Sequence, residues 1–334
     1  MSEPQVLCLG EVLFDCIADR PGRSLEAVEA WTAYPGGAPA NVACALVKLG
    51  VPAGLIGCLG QDEAGEALLQ HLQSVGVDCS GVQRHASAPT RRVYVLRTEA
   101  GDREFAGFGS GEATVEALRA PEAFADAYLQ ASQLPAARLA RADFLVLGTL
   151  ELAYADSGAA VRRALALAQQ RRVKVLLDIN WRPIFWPQPE RAQATIAPIL
   201  EAADWLKCSA EEAQWLFGTV DPNAIARQLE RPEGVFVTDG GGATRYNLNG
   251  HSGTVAAFEV PVEDTTGAGD GFVAGLLSQF CQRSAADRRD PAFAREAVVY
   301  ASAVGGLTAT RAGAMAAQPS AAEVAALLQR SPAP

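Results

Sequence analysis

Residues 5 to 10 form an apolar run ending in glycine, and Val42, Leu46 and Leu49 then recur at the spacing of one helical face until Gly50 and Pro52 stop it. The chain therefore opens as strand, then helix. The alternation repeats with a strand at 54–59 and a helix from Asp62 that sets Leu68, Leu72 and Val75 on one face before Gly76. A strand at 143–148, a helix over about 157–172 and a strand Val173–Ile179 follow. Strands alternating with helices of this length predict an α/β fold, a parallel sheet covered on both faces. The last third predicts a strand at 234–238, a hairpin turning at Asn249-Gly250, and helices near 269–281, 293–305 and 321–329.

Two stretches depart from this rhythm. In residues 11–35 and 86–110 apolar and polar positions alternate, and Gly101-Asp102 supplies a turn, so both read as antiparallel strands of one small accessory sheet. Such a sheet is either an edge extension of the main one or a lid over its C-terminal strand ends. No internal repeat is present.

Composition narrows the classes. With 334 residues, 49% hydrophobic and 20% charged, the chain can bury a sizeable core, and no segment approaches the roughly 18 apolar residues of a membrane span. A formal charge of −10 opposes attraction to nucleic acid or to an anionic membrane, so any anionic ligand must be held by local geometry. Seven scattered cysteines and three separated histidines give no pattern for disulfides, a zinc site or a serine hydrolase triad. The N-terminus lacks the basic start and apolar core of an export signal, which makes the cytoplasm the expected compartment.

The densest chemistry lies at Asp264-Thr-Thr-Gly-Ala-Gly-Asp270, directly before an apolar helix. The first N–H groups of a helix lack intrahelical partners and carry the positive end of the dipole. Gly267, Ala268 and Gly269 leave those groups uncovered, so phosphate oxygens can approach them. A carboxylate at Asp270 beside a bound anion is repulsive unless it serves another part of the reaction, the attacking hydroxyl, whose proton it can take. The plainer alternative is that Asp264 or Thr266 caps a core helix whose small residues pack closely.

The same string resembles the C-terminal signature of the ribokinase-like sugar kinases, also called the phosphofructokinase-B family. Pro35-Gly36-Gly37-Ala38-Pro39-Ala40-Asn41-Val42-Ala43 resembles that family's N-terminal signature, and Leu49-Gly50 and Ile56–Gly65 follow in the family's order, so the resemblance covers nearly the whole chain. It implies one domain over 1–334 with a three-layer α/β/α fold, a mainly parallel central sheet and a small β-sheet lid from about 11–35 and 86–110. Gly36 and Gly37 would let backbone approach a sugar, and Asn41 offers a donor and an acceptor to hydroxyls, or simply caps a helix. By resemblance Asp15, in Gly10-Glu11-Val12-Leu13-Phe14-Asp15, is the acid on two substrate hydroxyls, and Glu151 aligns with a sugar-contacting acid of ribokinases.

On the nucleotide side, Lys207-Cys208-Ser209-Ala210-Glu211-Glu212 resembles the family's Asn-x-x-Glu region, with serine in place of asparagine. Glu212 is then the acid that organises magnesium through water, with Glu211 as the register alternative, whereas acids in a first helical turn need no such role. Thr238 and Gly240 match a Thr-x-Gly-x-x-Gly loop under the nucleotide phosphates whose last glycine is Ala243 here. Ser302 matches an adenine-side position, and Asp264 and Thr266 could give oxygens to a monovalent cation such as K+.

Within the family, Asp178-Ile-Asn-Trp-Arg182-Pro resembles the Asp-x-Asn-x-Arg segment of fructokinases, a group that Arg97 and Arg103 also fit. Arg182 would steady a phosphoryl or substrate oxygen. The resemblance thus implies an ATP- and Mg2+-dependent kinase acting on fructose, with ribose, 2-keto-3-deoxygluconate and nucleosides as rival acceptors, a non-catalytic sugar-binding regulator as the reading of another class, and homodimerisation through the lid.

Overall fold

The structure is a computed structural model that describes residues 3–97, 103–111, 124–230 and 232–330, the side chains of Arg97 and Arg103 excepted. The turn expected at Gly101-Asp102 and the two arginine side chains lie outside the described residues. In chain order the strands are β1 (Val6–Leu9), β2 (Leu13–Ala18), β3 (Trp31–Gly36), β4 (Ala53–Gly60), β5 (Asp78–His85), β6 (Arg92–Arg97), β7 (Arg103–Gly109), β8 (Phe144–Leu147), β9 (Lys174–Asp178), β10 (Trp205–Ser209), β11 (Gly234–Thr238), β12 (Thr244–Leu248) and β13 (His251–Val255).

Nine of them form one sheet in the order β13-β12-β11-β10-β9-β8-β1-β4-β5, parallel from β11 to β5, with β12 and β13 added antiparallel at one edge. Strands β1, β4 and β8 are buried at every residue, which is why they read as unbroken apolar runs. The strand period of two divides their side chains between two cores. Val6 and Cys8 pack with the helices Ala38–Lys48, Glu63–Val75, Ala268–Cys281 and Pro291–Thr308, while Leu7 and Leu9 pack with Ala155–Arg171 and Ala192–Leu200 on the other face. This is the three-layer α/β/α arrangement. The Asn249-Gly250 hairpin forms as read, with both residues at positive φ (52° and 85°).

Periodicity did not single out β5, β10 or the short helices Ala192–Leu200, Ala210–Phe217 and Pro222–Gln228. Strand β5 sits at the sheet edge and is largely polar, and β10 places a lysine inside an otherwise apolar run. Both features hide a strand from a pattern search.

From β1 the chain builds outward through β4 and β5, then returns to β8 and builds the other way through β9, β10 and β11. The strand order therefore reverses between β1 and β8, and in open α/β sheets a ligand crevice opens beyond the C-terminal strand ends at such a point. Glu11, Glu151 and Asp178 lie at or just beyond the ends of β1, β8 and β9.

The accessory strands form a separate four-stranded sheet, β3-β2-β6-β7, rather than an extension of the main one. Each segment folds as its own antiparallel pair, but the two pairs join through parallel β2 and β6, with Phe14 opposite Arg92 and Ile17 opposite Val95. The join between the two pairs is parallel for a topological reason. Strands β2 and β6 follow β1 and β5, which run in the same direction, so both leave the main sheet on the same side.

Candidate active site

Two cavities, of about 520 Å3 and 280 Å3, meet at the start of the helix Ala268–Cys281, where Thr265 and Gly269 border both. The turn into this helix is fixed by Asp264. One of its oxygens accepts from the Thr266 N–H (3.0 Å) and hydroxyl (2.7 Å), and the other from the Gly313 N–H (3.1 Å). Gly267 then takes a left-handed conformation (φ 77°) in which a Cβ would meet Ala314 at 3.0 Å, so glycine is required twice over. Of the small residues at the helix start, Ala268 turns its N–H to the Thr265 carbonyl (3.2 Å).

Asp270 lies in the first helical turn, 8% exposed, on the wall of the larger cavity. The Asn41 side-chain amide donates to it at 2.8 Å, and the other polar atom of Asn41, Oδ1, is buried without a partner among the described residues. Burial raises the pKa of Asp270, while Asn41, Lys207 and Arg182 hold it down. A buried carboxylate flanked by a donor and two cations stays available as a base.

Lys207 and Asp178 are register partners on neighbouring parallel strands and form a buried ion pair at 3.0 Å and 3.2 Å to the two carboxylate oxygens. Burial pushes Asp178 up to about 6, against the pull of Lys207. The resemblance assigned Lys207 to the nucleotide side, but its side chain lines the larger cavity and not the smaller one. The alternation along β10 turns Lys207 away from Cys208 and toward the face on which the helix Ala268–Cys281 packs.

A second acidic pair stands beyond the end of β1. Glu11 accepts the Ala38 N–H at 2.8 Å and borders the larger cavity, and burial pushes its carboxyl up to about 7. Burial and Glu11 together raise Glu151 well above the ordinary carboxylate range, and among the described residues neither Glu151 oxygen receives a donor.

The remaining sugar-side candidates divide. Asp15, Gly37, Arg182 and Thr266 border the larger cavity, with Arg182 exposed and donating to the Trp181 carbonyl at 2.9 Å. Gly36 does not border it; the space of its absent Cβ is filled by the Asp15 carboxylate. At Gly37 (φ 104°) the close approach is to Glu11 and Val12 backbone, so its glycine requirement is internal to the fold. Lid residues Leu13, Val93, Val95 and Phe105 roof the same cavity.

The smaller cavity gathers Thr238, Gly240, Ala268 and Ser302 against Phe258, Val260 and Phe272. Among the described residues, Gly240 (φ 51°) and Gly241 have nothing within 4 Å of their missing Cβ, and the Ser302 hydroxyl is buried without a partner. Ser209 and Glu212 border neither cavity. They form a capping box for the helix Ala210–Phe217, in which Glu212 accepts the Ser209 N–H (2.7 Å) and also the Trp181 N–H (2.6 Å). Sequence reasoning gave no role to Asp178 or Asn180, although an acid closing the apolar run from Val173 is a visible signal.

The model of the pfkB family of carbohydrate kinases matches residues 3–321. The chain belongs to that family and is an ATP-dependent sugar phosphotransferase. It is 35% identical over 320 residues to the probable chloroplastic fructokinase-6 of Arabidopsis thaliana, covering 95% of this chain and 80% of the relative. The fructokinase of Xylella fastidiosa with bound ATP superposes with a TM-score of 0.85 at 31% identity, over 97% of this chain and 98% of that one. A double-mutant fructokinase of Vibrio cholerae O395, solved with fructose, ADP and potassium ion, gives 0.82 at 28% identity over 98% and 99% of the two chains.

Proposed function

We propose that the protein transfers the terminal phosphoryl group of ATP to the primary hydroxyl of D-fructose, giving fructose 6-phosphate and ADP. The supporting observation is the position of Asp270, a buried carboxylate on the wall of the sugar-sized cavity, in the helical turn that also borders the glycine-lined one. In this reading the sugar occupies the larger cavity with Asp15 accepting from its hydroxyls. The nucleotide occupies the smaller one, with Thr238, Gly240 and Gly241 under its phosphates and Ser302 toward its base. The sugar oxygen forms a bond to the γ-phosphorus as the bridging bond to ADP breaks, and the hydroxyl proton passes to Asp270. The helix start at Gly267–Gly269 and Arg182 face the negative charge that spreads over the phosphoryl oxygens.

Magnesium fits this arrangement as a partner of the nucleotide rather than of the protein. Among the described residues no group of three or more His, Cys, Asp or Glu side chains is arranged to hold a metal, and Mg2+ is commonly bound through phosphates, waters and one or two carboxylates. Bound there, it would neutralise phosphate charge; Glu212, which borders neither cavity, would reach it only through water. The Asp264–Thr266 turn, tied to Gly313, offers hard oxygen donors suited to a monovalent cation such as K+. Seven free cysteines agree with a reducing, cytoplasmic setting. A homodimer through the lid belongs to this reading because β3 and β7 are the edges of that sheet, and light scattering that returns a monomer would remove it. The decisive experiment measures ADP release with fructose, ribose, 2-keto-3-deoxygluconate and adenosine. Turnover highest with fructose is expected; a higher kcat/KM with another acceptor would replace the substrate, and none with any would replace the enzyme reading.

A further inference from the structure

Lys207 is the buried cation on the wall of the larger cavity: it is 6% exposed, whereas Arg182 on the same wall is exposed. Its ammonium is pressed against the helix start, where a Cβ on Gly269 would lie 2.9 Å from Nζ. Asp178, 4% exposed, fixes it there through both carboxylate oxygens, from the facing position on β9. An ammonium has three donor hydrogens, and the Gly269 side faces the junction of the two cavities. Burying a lysine and an aspartate together is costly, and structural stability alone is a weak reason to retain such a pair.

We propose that Lys207 is a catalytic residue that donates to the transferring phosphoryl group beside the amide cradle, and that Asp178 is the positioning residue that aims its ammonium. The inference rests on the kinase reading above. A permanent charge in a water-poor site needs no reorganisation as phosphoryl charge spreads. It also gives the helix start a fixed cation on the sugar side, opposite the face open to the nucleotide. Asp178, Glu212 and Asp270 all act on this ammonium; burial alone would lower its pKa, and the three carboxylates more than reverse that.

Lys207→Met should lower kcat about a hundredfold, the loss typical of one removed oxyanion donor. The KM for sugar and the Kd for ADP, measured by calorimetry, should stay within about threefold, since neither is a readout of the travelling group. Because Lys207→Met strands the Asp178 charge, the double variant Lys207→Met/Asp178→Asn is made as well, and it should fold and be as slow. Asp178→Asn alone should lower kcat less and add a loss of activity at high pH, as a lysine freed from its partner deprotonates more easily. Wild-type turnover is measured first. Its absence with every acceptor overturns the kinase reading and this inference together. Wild-type turnover with a folded double variant within threefold of it overturns the inference alone, as does a loss confined to KM.

Discussion

The two cavities that meet at Gly269 are built on opposite principles. The larger one sets Asp15 and the buried Glu11, Asn41, Lys207 and Asp270, with Asp178 directly behind, beneath the apolar lid residues Leu13, Val93, Val95 and Phe105, so its floor is distinguished by charged and polar side chains. The smaller one is bordered by glycines 240, 241, 242, 305 and 306 with Phe258, Val260 and Phe272, so it is defined by absent side chains and apolar walls. The difference follows from what each half of a phosphoryl transfer requires. An acceptor hydroxyl must be oriented and deprotonated, which takes fixed charges, whereas a nucleotide brings its own charge and needs exposed backbone and a flat apolar slot.

The sharpest way to break this contrast is to remove one charge from the acceptor side. Asp270→Asn keeps shape and loses the base, so kcat should fall about a thousandfold, within the range for a general base, with sugar affinity within a few-fold. In the wild type kcat/KM should rise with pH, since the base must be ionised, and burial places that rise above the ordinary aspartate value of 3.8. Retained turnover in the variant, or a flat profile, would remove the base assignment.

The second test concerns the acidic pair. The folded state raises Glu11 from 4.5 to about 7, so between those values it keeps a proton that the unfolded chain has released. Stability therefore falls as pH rises from 4.5 through about 7. Glu151, Asp178 and Asp270 are also raised and contribute with the same sign. Urea melts at pH 5, 6, 7 and 8 should show a shallower slope in Glu11→Gln, and an unchanged slope would place the proton elsewhere.

These two regions also differed in how far the sequence disclosed them. The parallel sheet was legible because strands buried on both faces are written as apolar runs, and the glycine-bounded helix start at 267 was legible because only glycine suits a left-handed cap facing Ala314. The partners of the buried acids were not. Asn41 meets Asp270 across 229 positions and Lys207 meets Asp178 across 29, and nothing local to either residue encodes its partner. Glu212 shows the converse. Its bonds with Ser209 make a capping box that their spacing already allowed, while the Trp181 N–H ties it to the segment after β9.

A smaller effect should come from Gly36→Ala. The new Cβ would occupy the place of the Asp15 carboxylate, so Asp15 must move although the variant adds no charge and touches no nucleotide. Sugar KM should rise about tenfold, comparable to losing one hydrogen bond to a charged group, with the KM for ATP unchanged. Equal changes in both constants would mean that the lid, rather than Asp15, had shifted.

The smallest effect is expected on the other side of Gly269. Ser302 Oγ is a buried hydroxyl of the small cavity that lacks a partner among the described residues, so a ligand that donates to or accepts from it gains one neutral hydrogen bond. Ser302→Ala leaves no stranded group in the free protein, because the orphan itself is removed, and it should be neutral or slightly stabilising in a thermal melt. Its cost should then show only with nucleotide bound: a two- to fivefold rise in the KM for ATP, about 0.5–1 kcal/mol, with kcat and the sugar KM unchanged. A loss in kcat instead would mean that the apolar slot also orients the phosphoryl group, and the division of labour between the two cavities would fail on its donor side.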